Sequence, residues 1–461
     1  MENLNESNQT VDVEFDISWD NSWRLSSGPA NWDAAWLFVK FRTSSGDWLH
    51  AQLSTTVLAT PVGSVLKVSP DQVGALLYRS GDGSGTFALQ DVMLTWEYPA
   101  EVSTSDILDV QVHAIEMVYV PAGAYIAGDR TSEGAFYGVG AGGKEFFTID
   151  SEASLPVVNT IGNFYYDNLG DPFNIGDQQG PIPAAFPKGF GGFYCMKYEI
   201  TQDQWVNFFN TLPVDVRSGL DITGSSYKNT DDESSRNTVA WSGGGASATT
   251  TLPYVPCGFF DAKLFLVYLD WSGLRPMTEL EYEKACRGTQ GARDGQLAWG
   301  SLNVNNEAYT LTNEGTASEG IANPASGTGN AFITETNGQI FGPVRVGIFA
   351  ASALTKNREE TGATAYGIME MSGNQWELIV TVGNPTGRAF TGQHGNGRVG
   401  TSGEHDVPSW PVSSTGDGLA FRGGSYNWSA SYARISDRTF AALPVSDDNG
   451  DYTGRGVRTD F

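Results

Sequence analysis

The chain has 461 residues, long enough for two or more compact units, and its 40% hydrophobic and 12% aromatic content excludes global disorder. Its 53 acidic residues against 27 basic ones leave a net charge of −26, which argues against nucleic acid and anionic membrane surfaces as partners. Only 17% of residues are charged while glycine alone contributes 56, a composition that suits loop-rich β structure in an extracellular, cell-surface or virion-surface protein.

Residues 1–103 read as a small antiparallel β-sandwich. Val11–Trp19 and Ala35–Phe41 carry the two-residue period of strands, and shorter runs follow at Trp48–Leu53, Ser64–Val68, Ala75–Arg79 and Phe87–Tyr98. Ser-Gly-Pro, Ser-Gly-Asp and Gly-Asp-Gly-Ser-Gly turns separate them. Trp19, Trp23, Trp32 and Trp36 invite a carbohydrate-stacking reading, but core and rim packing is the expectation for tryptophans in so small a sandwich. The module is expected to anchor the protein or assemble it as a homo-oligomer, with Pro99–Asp106 as a linker. The first ten residues lack a basic region followed by an apolar one, so no signal peptide is expected. No apolar run approaches the ~20 residues needed to span a membrane.

From residue 104 the texture changes to long glycine-rich loops around a few firm elements. Met117–Tyr125 reads as a strand closing on a Pro-Ala-Gly turn, and Phe193–Thr201 as a strand entering a helix N-capped by Thr201. That helix, Gln202–Leu212, places Trp205, Phe208, Phe209 and Leu212 on one face. A second helix is expected at about Phe260–Trp271, and a third follows Thr278, where Glu281 completes a capping box. Cys195, Cys257 and Cys286 lack zinc-knuckle spacing and allow at most one disulfide; Cys286 reads as a buried apolar residue.

Tyr198–Thr201, Arg275–Glu283, Gly373–Glu377, Arg422–Tyr426 and Gly456–Arg458 stand in a fixed order. On these motifs residues 110–461 resemble the formylglycine-generating enzyme, or sulfatase-modifying factor, family. The resemblance implies an α+β, divergent C-type lectin-like domain with few regular elements over 104–461, preceded by the sandwich. Family enzymes bind copper through two cysteines, two and seven residues after the aromatic that follows Gly-Gly-Ser. Counted from Tyr426, those positions hold Trp428 and Ala433. Cu(I) needs soft thiolate ligands, so no copper and no catalytic residue are expected. An iron-dependent branch of the family needs paired histidines; of the four here only His394 and His405 share a loop. The family also associates the Gly373–Glu377 turn with a structural calcium ion. Asn374 and Glu377 would supply hard oxygen ligands, unless Asn374 caps the turn and Glu377 pairs with an arginine. A second calcium loop would fall around Asn305–Asn313.

The segment 421–461 holds the candidate binding face. Arg422, Arg434, Arg438, Arg455 and Arg458 read as framework, forked onto buried carboxylates, with Glu279, Glu281, Glu283 and Asp437 as candidate partners. Between them, Tyr426, Asn427, Trp428, Ser431, Ile435, Thr439, Phe440, Asp447, Asp451 and Tyr452 mix aromatics with small polar groups, the make-up of a recognition surface. In the family this region forms the substrate or ligand face, and in the similar variable proteins of diversity-generating retroelements it is the diversified segment. The expected function is a non-catalytic surface protein, adhesive or structural, that binds a protein or glycan ligand on another surface. The alternatives are a metal-dependent oxidase or synthase with altered ligands, and a self-assembling fibre, sheath or virion subunit.

Overall fold

The computed structural model of the chain describes residues 1–461 apart from 45, 57–59, 101, 104, 106 and 290, so part of the Pro99–Asp106 linker lies outside the described residues. The N-terminal strands form two layers, as expected of a sandwich. The first layer is a four-stranded sheet in the order Glu2–Asn5, Thr10–Arg24, Gly83–Glu97, Gln52–Leu53. Along Thr10–Arg24 the period of two holds: Glu14, Asp16, Ser18 and Asp20 face solvent, and Phe15, Ile17 and Trp19 pack inward.

The second layer does not stop at the sandwich. It is an eight-stranded sheet that runs Arg275–Pro276, Gly456–Thr459, Phe193–Met196, Ile107–Val120, Asp33–Thr43, Ala75–Arg79, Ser64–Val68, with Trp48–His50 added beside Asp33–Thr43. Ile107–Val120 pairs with Asp33–Thr43 along almost its whole length, while its last residues, Met117–Val120, also pair with Phe193–Met196. The expected boundary at 103/104 therefore precedes a strand that belongs to both units.

This common sheet has a core on each face. Ala35, Leu37, Val39 and Phe41 point into the sandwich, against Val13, Leu94 and Trp96. Ala34, Trp36 and Phe38 point the other way, into the main core with Trp205, Phe208 and Trp271. A strand covered on both faces needs an unbroken apolar run, and Ala34–Val39 is one. Polar groups buried at this wall find partners across it: Trp36 Nε1 donates to Ser272 O at 2.8 Å, and Lys40 Nζ to Trp271 O at 2.8 Å. Trp36 is fully buried, whereas Trp19, Trp23 and Trp32 are half-buried at the rim.

The expected helices form with small changes of length. Gln202–Asn210 starts at a capping box of Thr201 and Gln204, and Glu279–Arg287 at one of Thr278 and Glu281. Ala262–Trp271 is N-capped by Asp261, whose carboxylate accepts the Leu264 N–H; its residues are buried almost all round, as a helix packed on the common sheet requires. The three cysteines are free and buried, with no disulfide. Short helices at Val214–Arg217, Ile348–Ser352 and Pro385–Arg388, short strands and long hydrogen-bonded loops make up the remainder, an α+β fold of the expected kind.

Candidate functional site

The C-terminal segment is pinned by a three-stranded sheet: Trp376–Val380 lies antiparallel to Leu419–Arg422 and parallel to Tyr452–Thr453. After Arg422 the chain reverses through Gly423 and Gly424, at φ +91° and +68°, where an L side chain would be strained. The arginines around this turn are buried clamps. Arg438 forks onto Glu279, Nε to Oε2 at 2.8 Å and Nη2 to Oε1 at 3.1 Å, with its guanidinium 4.2 Å from the ring centres of both Phe136 and Tyr166. Arg422 Nη2 reaches Glu283 Oε1 at 3.1 Å. Arg455 Nε holds Glu377 at 2.7 Å, and Arg458 holds Asp71 of the sandwich at 2.6 Å. Glu281 serves Arg275 instead, and Asp437 turns onto Thr439. Arg434 is half-buried and forms no ion pair among the described residues.

This geometry redirects the two residues expected to ligate calcium. Asn374 sits in the left-handed region at φ +67°, a conformation asparagine tolerates. Its Oδ1 accepts the Val344 N–H at 2.9 Å and its Nδ2 donates to Glu199 Oε2 at 2.6 Å. Glu377 is held by Arg455, and both residues are fully buried. The Asn374 oxygen is thus taken and Glu377 pairs with an arginine through Oε1, while Glu377 Oε2 is buried with no hydrogen-bond partner among the described residues. Asn305, in the second expected loop, closes a turn onto the backbone of Glu307. His394 accepts the Thr459 N–H, whereas His405 lies against Trp410 and Pro411, so each is engaged by its own neighbours rather than by the other.

Glu199, Glu370 and Glu377 form a buried acidic group around Arg455. Burial and the Glu377 charge push Glu199 well up from the ordinary carboxylate range. Burial raises Glu370 from 4.5 to about 7, against the pull of the Gly347 N–H on its Oε1 at 3.0 Å. A carboxyl whose folded value is raised contributes stability that is complete below the unfolded value and lost as pH rises through the folded one. Glu370→Gln keeps an acceptor for Gly347 and removes the titration. Above pH 7 the variant is expected to be more stable than the parent by on the order of 3 kcal/mol, and the difference should shrink as the pH falls toward 4.5. Melting curves of both proteins across this range check it; a difference that does not change with pH would be contrary to it.

The expected binding residues divide in two. Asn427, Ser431 and Asp447 are exposed, and Trp428, Thr439, Phe440 and Tyr452 are half-buried. Tyr426, Ile435 and Asp451 do not reach the surface, being only 2%, 0% and 1% exposed. Tyr426 joins a core with Phe332 and Phe349, Ile435 packs beside Tyr282 and Ile379, and the Asp451 carboxylate accepts the Ser425 hydroxyl at 2.6 Å. Ala433 and the run Ile435–Arg438 are buried along a segment of turns, so no simple period separates core from surface here.

The outward residues are organised on buried Trp376. Its ring is met edge-on by Trp428 at 5.7 Å, Phe440 at 5.7 Å and Tyr432 at 6.3 Å, and Trp428 meets Tyr432 at 4.7 Å and Phe440 at 5.3 Å. Tyr452 lies tilted at 45° against Phe421 at one side, with ring centres 4.5 Å apart. Each such pair contributes about 0.5–1.5 kcal/mol beyond area burial, which holds the half-exposed rings in place without covering them. Tyr432 was missing from the expected set; its signal was the spacing Trp428-x-x-x-Tyr432. The positions where family enzymes carry their cysteine pair are this half-exposed Trp428 and the buried Ala433. Burial pushes the thiols of Cys195, Cys257 and Cys286 upward, Cys286 to about 12, so none is a ready thiolate.

A family model described as a sulfatase-modifying factor enzyme 1-like domain matches residues 148–452, about two thirds of the chain. No curated protein matches it. The matched stretch contains the capped helices, the Trp376 floor and the arginine clamps with their carboxylates, except for Arg455 and Arg458. The chain belongs to the sulfatase-modifying factor enzyme 1-like family.

Proposed function

We propose that the protein is a non-catalytic binding protein that presents the face between Asn427 and Tyr452 to a protein or glycan on another surface. One observation carries this reading: the segment divides its labour. Its arginines other than Arg434 are buried on carboxylates and fix the backbone, while Trp428, Tyr432, Phe440 and Tyr452 stand half-exposed among Asn427, Ser431 and Asp447. Rigid aromatic anchors beside small polar groups give contact area at low entropic cost. The N-terminal sandwich, welded on through the common sheet, would anchor or multiply this face on a cell or virion exterior.

Binding of the purified full chain to a glycan array and to intact cells tests the proposal. Trp428→Ala and Tyr432→Ala are each expected to weaken the retained interaction by about tenfold or more, as central aromatic anchors do. Variants that bind like the parent would refute it. So would copper or iron at one ion per chain together with oxidation of a cysteine-containing peptide.

A further inference from the structure

A second site lies away from the C-terminal face, where the end of the Thr10–Arg24 strand meets the C-terminal domain. A cavity of about 690 Å³ opens there, walled by Trp23 and Asn31 from the sandwich and by Tyr198, Tyr366 and the 345–369 loops. Its charge is the reverse of the chain's. Acidic residues outnumber basic ones 53 to 27, yet Lys197, Arg345, Lys356 and Arg358 line this cavity and, among the described residues, no carboxylate does.

Those cations are held differently from the buried arginine clamps. Arg422, Arg438, Arg455 and Arg275 are all neutralised by carboxylates. In the cavity, among the described residues, only Lys197 is, by Glu116 at 2.6 Å. The other three donate to backbone carbonyls: Arg345 Nε to Glu319 O at 2.9 Å, Lys356 Nζ to Ala350 O at 2.6 Å, and Arg358 Nη2 to Ala298 O at 2.7 Å. Carbonyl contacts orient the cationic groups but leave their charge uncompensated. Behind the wall, Glu370 is turned onto the Gly347 N–H. Tyr366, only 2% exposed, also lines the cavity, and its buried hydroxyl has no hydrogen-bond partner among the described residues. The remaining wall is largely apolar, from Trp23, Pro29, Ala350 and Ala365. A pocket of this size with apolar walls and a few converging donors is the usual form of a small-molecule site.

We infer that this junction cavity binds an amphipathic organic anion, a compound with a sulfonate, sulfate, carboxylate or phosphate head on a flat apolar body. The head faces Arg345 and Lys356, and the body lies between Trp23 and the tyrosines. Trp23 and Asn31 come from the sandwich, so the ligand bridges the two units and tightens their junction.

The probe is 8-anilinonaphthalene-1-sulfonate, titrated into the native full chain by fluorescence, with uncharged N-phenyl-1-naphthylamine as its neutral partner. Saturable binding at a stoichiometry of about one is expected, weakening by about tenfold in Lys356→Glu and in Arg345→Gln and falling with added salt, while the neutral dye binds all three proteins alike. Trp428→Ala and Tyr432→Ala should bind the sulfonate as the parent does, which separates this site from the C-terminal face. Lys356 is exposed, and unchanged melting of its variant confirms that it is folded. The inference is overturned by non-saturable binding, by charge variants that match the parent, by equal loss of both dyes, or by loss of sulfonate binding in the aromatic variants.

Discussion

Replacing Arg438 with alanine is expected to destabilise the protein by about 3–5 kcal/mol, the usual result of removing one partner of a buried ion pair. Arg438 and Glu279 are both fully buried. Without the guanidinium, the Glu279 carboxylate keeps the Val382 N–H at 2.7 Å and a distant Arg422, which do not neutralise it as the fork does. The space between Phe136 and Tyr166 empties at the same time, adding the penalty of a cavity. The double variant Arg438→Met with Glu279→Gln should lose much less than the two single changes added together, because neither charge is then stranded. Denaturant unfolding of the four proteins measures this coupling. Strict additivity would show that the pair contributes nothing as a pair.

The larger effect is expected from cutting at the apparent domain boundary. A chain of residues 104–461 retains the whole matched family stretch, yet it lacks Asp33–Thr43 and Ala75–Arg79 from the common sheet. Ala34, Trp36, Phe38 and Leu76 leave the main core with them. At about 1.5–3 kcal/mol for each large apolar side chain, the loss is on the order of 5–10 kcal/mol, comparable to the whole stability of an ordinary domain. The cut also leaves one edge of Ile107–Val120 without its partner, a template for aggregation. The fragment is expected to be insoluble or to melt without cooperativity in calorimetry. A soluble fragment that melts within a few degrees of the full chain would mean that the sandwich is merely appended.

Local features were legible in the sequence because local interactions set them. The caps at Thr201 and Thr278, the strands Ser64–Val68 and Ala75–Arg79, and the paired fate of the expected arginines other than Arg434 all follow from residues near in sequence or from charge alone. Partner choice was less legible. Arg458 finds Asp71 and Arg455 finds Glu377 because distant strands come together, which no local pattern encodes. The shared sheet was obscured for a related reason: Ala35–Phe41 was read for its period of two, when the unbroken run Ala34–Val39 was the sign of burial on both faces. At the candidate face, the sequence supplied the aromatic and polar composition, and only packing on Trp376 separated Trp428 and Phe440 from the buried Tyr426 and Ile435.

The strand Gly456–Thr459 lies inside the eight-stranded sheet, between Phe193–Met196 and Arg275–Pro276, although it is the last of them to be synthesised. During translation the sheet waits with a gap at that place, and Asp71 and Glu377 wait without Arg458 and Arg455. Folding of this domain therefore waits until Gly456–Thr459 has been made, whatever its upstream helices do earlier. A product that stops short of Gly456 keeps most of the binding segment but cannot close the sheet that supports it. Such products are expected to open more readily than the full chain and so to be cut faster by a protease.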